Sequence, residues 1–184
     1  MSKIEEAQEI LMALGLPKGQ QNTRSALTLL ALSNLREEDN WIKAKATNMA
    51  VVGNKENAKY PGVMRFIDEH YNKKYAENSR ETFRRQTLHQ FVQAGIVSHN
   101  PENPDLATNS KDNHYRLSTE ALKVIRAYKS KSWDKEVKGF KKNVGSLQDK
   151  YQKKRDLRKI PLKLRNGIEL TFSPFKHNKV QVAI

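Results

Sequence analysis

Six polar residues in one short stretch have the types and spacing to read base-pair edges. With Phe83 at zero and about 100° per residue, Asn78, Thr82, Arg85, Gln86, His89 and Gln93 share one arc, opposite Phe83, Thr87, Leu88, Phe91 and Val92. An arginine fork bonds both acceptors of guanine, a glutamine pairs with N6 and N7 of adenine, and a threonine methyl meets that of thymine. Asn78, Thr82, Arg85, Gln86 and His89 are therefore the candidate base-reading residues. Ser79 and Arg80 stand at the expected helix start, where the helix dipole favours an anion, and are candidate phosphate ligands. Arg84 falls inside the apolar arc, so an acid such as Asp68 or Glu69 is its expected partner. A solvated helix also shows a mixed polar face, so the surroundings must decide.

Those surroundings build a helix-turn-helix. Met64, Ile67 and Tyr71 fall in register over Val63 to Tyr71, a polar link spans Lys73 to Asn78, Asn78 or Ser79 can cap the next helix, and Gly95 stands where a C′ glycine would. Ile96 to His99 and His114 to Leu117 flank a loop rich in Asn, Pro and Asp, which predicts a hairpin, the wing of a winged helix. Upstream, Ile4 to Leu14 predicts an amphipathic helix stopped by Gly15 and Pro17. A second, starting after Asn22 or Thr23 and running through Leu35, is apolar around most of its girth and is expected at the centre of the core. Arg36 to Asn57 shows no clear period. Ser118 caps a helix through Leu122, Val124, Ile125 and Tyr128.

Lys129 to Arg165 holds fourteen lysines and arginines against four acids, net +10. Val137, Phe140, Val144, Leu147, Tyr151 and Leu157 recur at three or four, as in a long helix with one narrow contact stripe. Such a helix either links two domains or holds phosphates, with Lys153, Lys154 and Arg155 as candidates. Asn166-Gly167 between alternating residues signals a hairpin. The expected class is mainly α with short β-hairpins: a winged helix-turn-helix with a long basic C-terminal helix. The expected division is 1–128 for DNA binding, 129–160 for a basic helical arm and 161–184 for a hairpin and the start of a further domain.

A net charge of +14 and a pI near 9.9 suit a protein that meets a polyanion. No apolar run approaches the roughly 20 residues of a spanning helix, which leaves duplex DNA ahead of a membrane as partner and the cytoplasm as the expected compartment. Without cysteine there are neither disulfides nor thiolate metal sites, and the five histidines are dispersed. Asp105 with Glu136 and Lys138 matches a nuclease motif as text, but these residues fall in a loop and a helix-patterned segment, whereas such ligands must converge in space. No catalytic residue, metal ligand or cofactor is therefore assigned to this chain.

Residues 13–32 (ALGLPKGQQNTRSALTLLAL) and 78–91 (NSRETFRRQTLHQF) resemble BsuBI/PstI-type restriction endonucleases, and Arg158-Lys159-Ile160-Pro161 with 170–178 (LTFSPFKHN) resembles that family's junction into its catalytic domain. The resemblance implies an N-terminal winged-helix region followed by a PD-(D/E)xK nuclease that cuts a short palindromic duplex with Mg²⁺. It also implies that the nuclease domain is missing here, as in an excised domain or a truncated product. A DNA-binding module of such an enzyme is the first expectation. A winged-helix transcription regulator, binding as a homodimer through Lys135 to Tyr151, is the alternative, and a complete small Mg²⁺-dependent nuclease is the third.

Overall fold

The structure, a computed structural model, describes residues 1–53, 59–107 and 109–144 together with the backbone of strand residues 160–163 and 169–172. The chain divides into two units, Met1–Leu147 and Gln148–Ile184. Among the described residues, no helix is long and apolar enough to cross a membrane.

In the first unit α1 (Lys3–Ala13) begins with a capping box between Ser2 and Glu5. It ends at Gly15, whose φ of 83° and the Leu16 N–H to Leu11 carbonyl bond turn the chain away. Next, α2 (Thr23–Leu32) is capped by the Asn22 side chain on the Ser25 N–H, and every residue from Ser25 to Leu32 is buried. This is the central helix expected from its all-round apolar girth, although it stops at Leu32, where Asn34 turns left-handed (φ 51°) and Leu35 N–H returns to Leu30.

The segment without a period supplies two connections. Trp41 is buried and donates from Nε1 to Glu6 on α1. Met49 forms an antiparallel bridge with Tyr115, and Ala50 a parallel one with Gly62. Then α3 (Val63–Tyr71) ends at Asn72 in the left-handed region.

From residue 80 to 93 the chain is helical throughout but not uniformly so: α4 (Arg80–Thr82), a π-helical stretch (Phe83–Leu88) and α5 (His89–Gln93). Neither Asn78 nor Ser79 caps it through a side chain. A 3-10 turn at Glu77–Ser79 leads in, with the Ser79 N–H on the Ala76 carbonyl. At the far end Gly95 (φ 68°) and Ile96 close onto the carbonyls of Val92 and Phe91, a Schellman arrangement.

Strands β1 (Val97–His99) and β2 (Tyr115–Leu117) pair antiparallel with Ser98 opposite Arg116. The loop between them is tied at its base, where Asn100 is buried and exchanges backbone and side-chain bonds with His114. Ser118 caps α6 (Thr119–Ala127) through the Ala121 N–H, as its type and position predict. The basic segment is not helical from its start: Lys129 is left-handed (φ 60°), and turns through Ser130 precede α7 (Trp133–Val144). α7 packs on α6 with Phe140 buried. The expected continuation of this helix, including Lys153, Lys154 and Arg155, lies outside the described residues.

In the second unit β3 (Ile160–Lys163) and β4 (Glu169–Phe172) form an antiparallel hairpin with Lys163 opposite Glu169. Pro161 lacks an N–H, and among the described residues its strand pairs on one side alone, where proline is tolerated.

Candidate nucleic-acid interface

The 80–93 helix buries Phe83, Thr87, Leu88 and Phe91 completely, four of the five residues of the apolar arc read from the sequence, while Val92 is half-buried. The opposite side is polar and open: Asn78, Arg80, Arg85, Gln86 and His89 are exposed, while Ser79 and Thr82 are half-buried. The structure thus brings Asn78, Ser79, Arg80, Thr82, Arg85, Gln86 and His89 onto one run of helix and its lead-in turn.

These side chains already have neighbours. The Arg85 Nε donates to Glu81 Oε2 at 3.0 Å, Gln86 Oε1 accepts from Arg24 at 3.3 Å, and the His89 ring meets the Gln93 amide at 2.8 Å. Arg85 stays 74% exposed, so its ion pair is a weak tether that a base or phosphate could replace.

Arg84 departs from expectation. It does not reach Asp68 or Glu69: Glu69 pairs with Arg65 at 2.6 Å, and the Arg84 guanidinium makes bonds of 3.1, 3.2 and 2.8 Å to Glu81. The π-helical stretch explains this. A bond such as His89 N–H to Arg84 O spans five residues, so Arg84 lies under exposed His89 instead of under the buried pair Thr87 and Leu88. A uniform wheel therefore turns it inward, while the real helix leaves it one-third exposed.

Glu81 serves both arginines, and the Arg84 hydrogen bond holds its carboxyl below the usual carboxylate range. Glu81 thus remains an anion between two cations. Arg24, a residue sequence reasoning passed over, braces the stretch from α2, donating from Nε to buried Thr87 Oγ1 at 3.0 Å.

The start of this helix and the β1–β2 hairpin flank a cleft of about 210 Å³, whose lining includes Arg80, Arg84, His99 and Tyr115. Burial, with help from His114 and Arg84, pushes the His99 imidazole below its ordinary pKa, so it is neutral near pH 7. Behind the cleft, His114 Nε2 meets Glu102 Oε2 at 2.7 Å and Nδ1 meets the Asp112 carbonyl at 2.9 Å. The His114 bond draws the exposed Glu102 carboxyl down to about 2.

Residues 1–149 match the model of a family described as the BsuBI/PstI restriction endonuclease HTH domain. The chain belongs to that family. Its relatives include the type II restriction enzyme BsuBI of Bacillus subtilis, 39% identical over 183 residues and covering 100% of this chain and 55% of the relative. The type II restriction enzyme AplI of Arthrospira platensis is 24% identical over 169 residues, 92% of this chain and 49% of the relative. Among solved structures, the SdaI restriction endonuclease superposes with a TM-score of 0.70 at 32% identity, covering 97% of this chain and 53% of that one. This BsuBI/PstI-family chain therefore spans about half the length of the relatives it matches.

The resemblance brings Mg²⁺ with it, and the described residues do not fit that ion. Asp105 is exposed in the β1–β2 loop and Glu136 lies on α7. Among the described residues no group of three or more His, Cys, Asp or Glu could hold a metal.

Proposed function

We propose that this chain grips double-stranded DNA as the winged helix-turn-helix module of a type II site-specific restriction endonuclease, within restriction-modification. The observation that carries this reading is the exposed polar side of the 80–93 helix, lying beside a hairpin in a +14 chain of an HTH family. In this reading α3 and the 80–93 helix are the helix-turn-helix, and β1–β2 is the wing.

Asn78, Thr82, Arg85, Gln86 and His89 face base edges, while Ser79 and Arg80 hold phosphate with Lys153, Lys154 and Arg155 of the basic arm. Residues 1–128 are the reading module, 129–160 the arm, and 161–184 lead toward the nuclease part of the same polypeptide. The module acts in the cytoplasm and uses no cofactor of its own, while Mg²⁺ belongs to the nuclease part. The transcription-regulator alternative gains no support from relatives that are restriction enzymes.

The test is a gel shift of the purified chain with duplexes across a salt series. Binding that weakens steeply with salt is expected. A chain that leaves every duplex unshifted at low salt would sink the proposal.

A further inference from the structure

The cleft between the 80–93 helix and the β1–β2 hairpin is lined by residues from three separate segments. Lys59 and Tyr60 come from the stretch before α3, Arg80 and Arg84 from the first turns of the helix, and Lys111 from the hairpin loop. Four cations therefore face one space, opposed among the lining residues only by Asp112. Glu81 outside the lining offsets Arg84.

The four cations are not equally committed. Arg84 is oriented by its bonds to Glu81. Lys59 sits 5.3 Å over the Tyr60 ring, and that ring is itself fixed against His114 at 4.1 Å. Arg80 and Lys111 are exposed and make no ion pair among the described residues. Two cations without an ion pair among the described residues thus line one space, together with a tyrosine ring stacked on His114.

A metal ion would find one carboxylate and repulsion, and an apolar ligand would strand four charges. An anion satisfies the lining. At about 210 Å³ the cleft is far larger than the roughly 10–15 Å³ that one water needs on a comparable measure, so a tetrahedral anion with attached sugar has room. Its position favours a strand over a free ion: Arg80 opens the helix whose next turns carry Thr82, Arg85 and Gln86, and phosphates border the groove that such a helix enters.

We propose that this cleft holds one backbone phosphodiester of duplex DNA, gripped between Arg80 and Lys111 with Lys59 as the third cation. This inference rests on the DNA-binding reading above and adds the hairpin-side half of the grip. Arg84 and Tyr60 shape the cleft without supplying the decisive charge.

The full chain is compared with Arg80→Gln, Lys111→Gln and the double variant in a duplex salt series. Each single change is expected to weaken every sequence alike by roughly tenfold, the scale of one charge-assisted hydrogen bond. Each should also reduce the slope of log affinity against log salt by about one. Because both residues grip the same phosphate, the double variant should lose about one in slope as well, and not two. Unchanged affinity, loss confined to one sequence, or a slope loss of two would overturn the shared site.

The unaltered chain gives an independent measurement with duplexes carrying a neutral methylphosphonate at one position at a time. One position per bound module should cost roughly tenfold with the native chain and nothing further with the double variant; no such position would overturn the inference. Phosphorus NMR with inorganic phosphate is the remaining arm. If the native chain binds phosphate and the double variant does not, while both hold duplex equally, the cleft serves a free anion and the strand assignment fails. If the native chain shows no salt-sensitive duplex binding at all, the DNA reading itself has failed, an outcome distinct from native binding that the variants leave untouched.

Discussion

Arg24, in the first turn of α2, reaches across to the 80–93 helix and donates from Nε to Thr87 Oγ1 at 3.0 Å, while its outer nitrogen meets Gln86. The most buried helix of the fold is thereby tied to the π-helical stretch under the polar face. Thr87 is fully buried, so removing its donor leaves a hydroxyl with less than its full complement of bonds. Arg24→Ala is expected to cost about 1–2 kcal/mol, a fall of about 2–8 °C in melting temperature for a unit of this size. Circular dichroism melting measures the fall, and an unchanged midpoint would show the brace to be idle.

Gly95 offers a sharper packing test. Its φ of 68° belongs to glycine, and an added Cβ would stand 2.2 Å from Val144 Cγ1 on α7. Gly95→Ala should destabilise by about 2 kcal/mol or more, combining left-handed strain with the clash. Adding Val144→Ala should recover the clash and leave the strain. Urea unfolding of both variants separates the two contributions, and a double variant no better than the single would mean that α7 does not press on this glycine.

The Glu102–His114 pair makes stability depend on acid pH. The folded carboxyl lies near 2, below its ordinary 4.5. Its contribution is therefore complete above about pH 4.5 and is lost as pH falls from there through 2. Glu102→Gln should lower stability above about pH 4.5, converge with the unaltered chain as pH falls toward 2, and so flatten that part of the stability–pH curve. Thermal melts between pH 2 and 6 supply the curve, and identical acid profiles for the two proteins would contradict the assignment.

Base reading and phosphate holding should separate in binding. Arg85→Ala and Gln86→Ala are each expected to erode discrimination between sequences by about 1–3 kcal/mol per lost bidentate contact. Neutralising Lys153, Lys154 and Arg155 together should weaken all duplexes equally and lower the salt slope. Competition binding with matched and shuffled duplexes distinguishes them; indistinguishable behaviour of the two sets would end the division of roles.

Several features fixed by neighbours in sequence were legible, although the cap expected from Asn78 or Ser79 is not made. The Ser118 cap, a start of α2 at Asn22 or Thr23, the glycine stop after Ala94 and the burial of α2 follow from residue type and spacing. What escaped depends on distant partners. The Met49–Tyr115 bridge joins segments with no common period, and the exposure of Arg84 follows from a π-helical stretch that a uniform wheel cannot represent. The cleft draws its cations from three separated segments, so no single window of sequence displays it.

The bare backbone of Gly95 beneath Val144 has a mechanical corollary. With no side chain to act as a cushion, Val144 in the last turn of α7 lies directly against the turn that closes the 80–93 helix. How closely α7 approaches the foot of the helix carrying Arg85 and Gln86 is thus set by a hydrogen where any other residue would place a carbon.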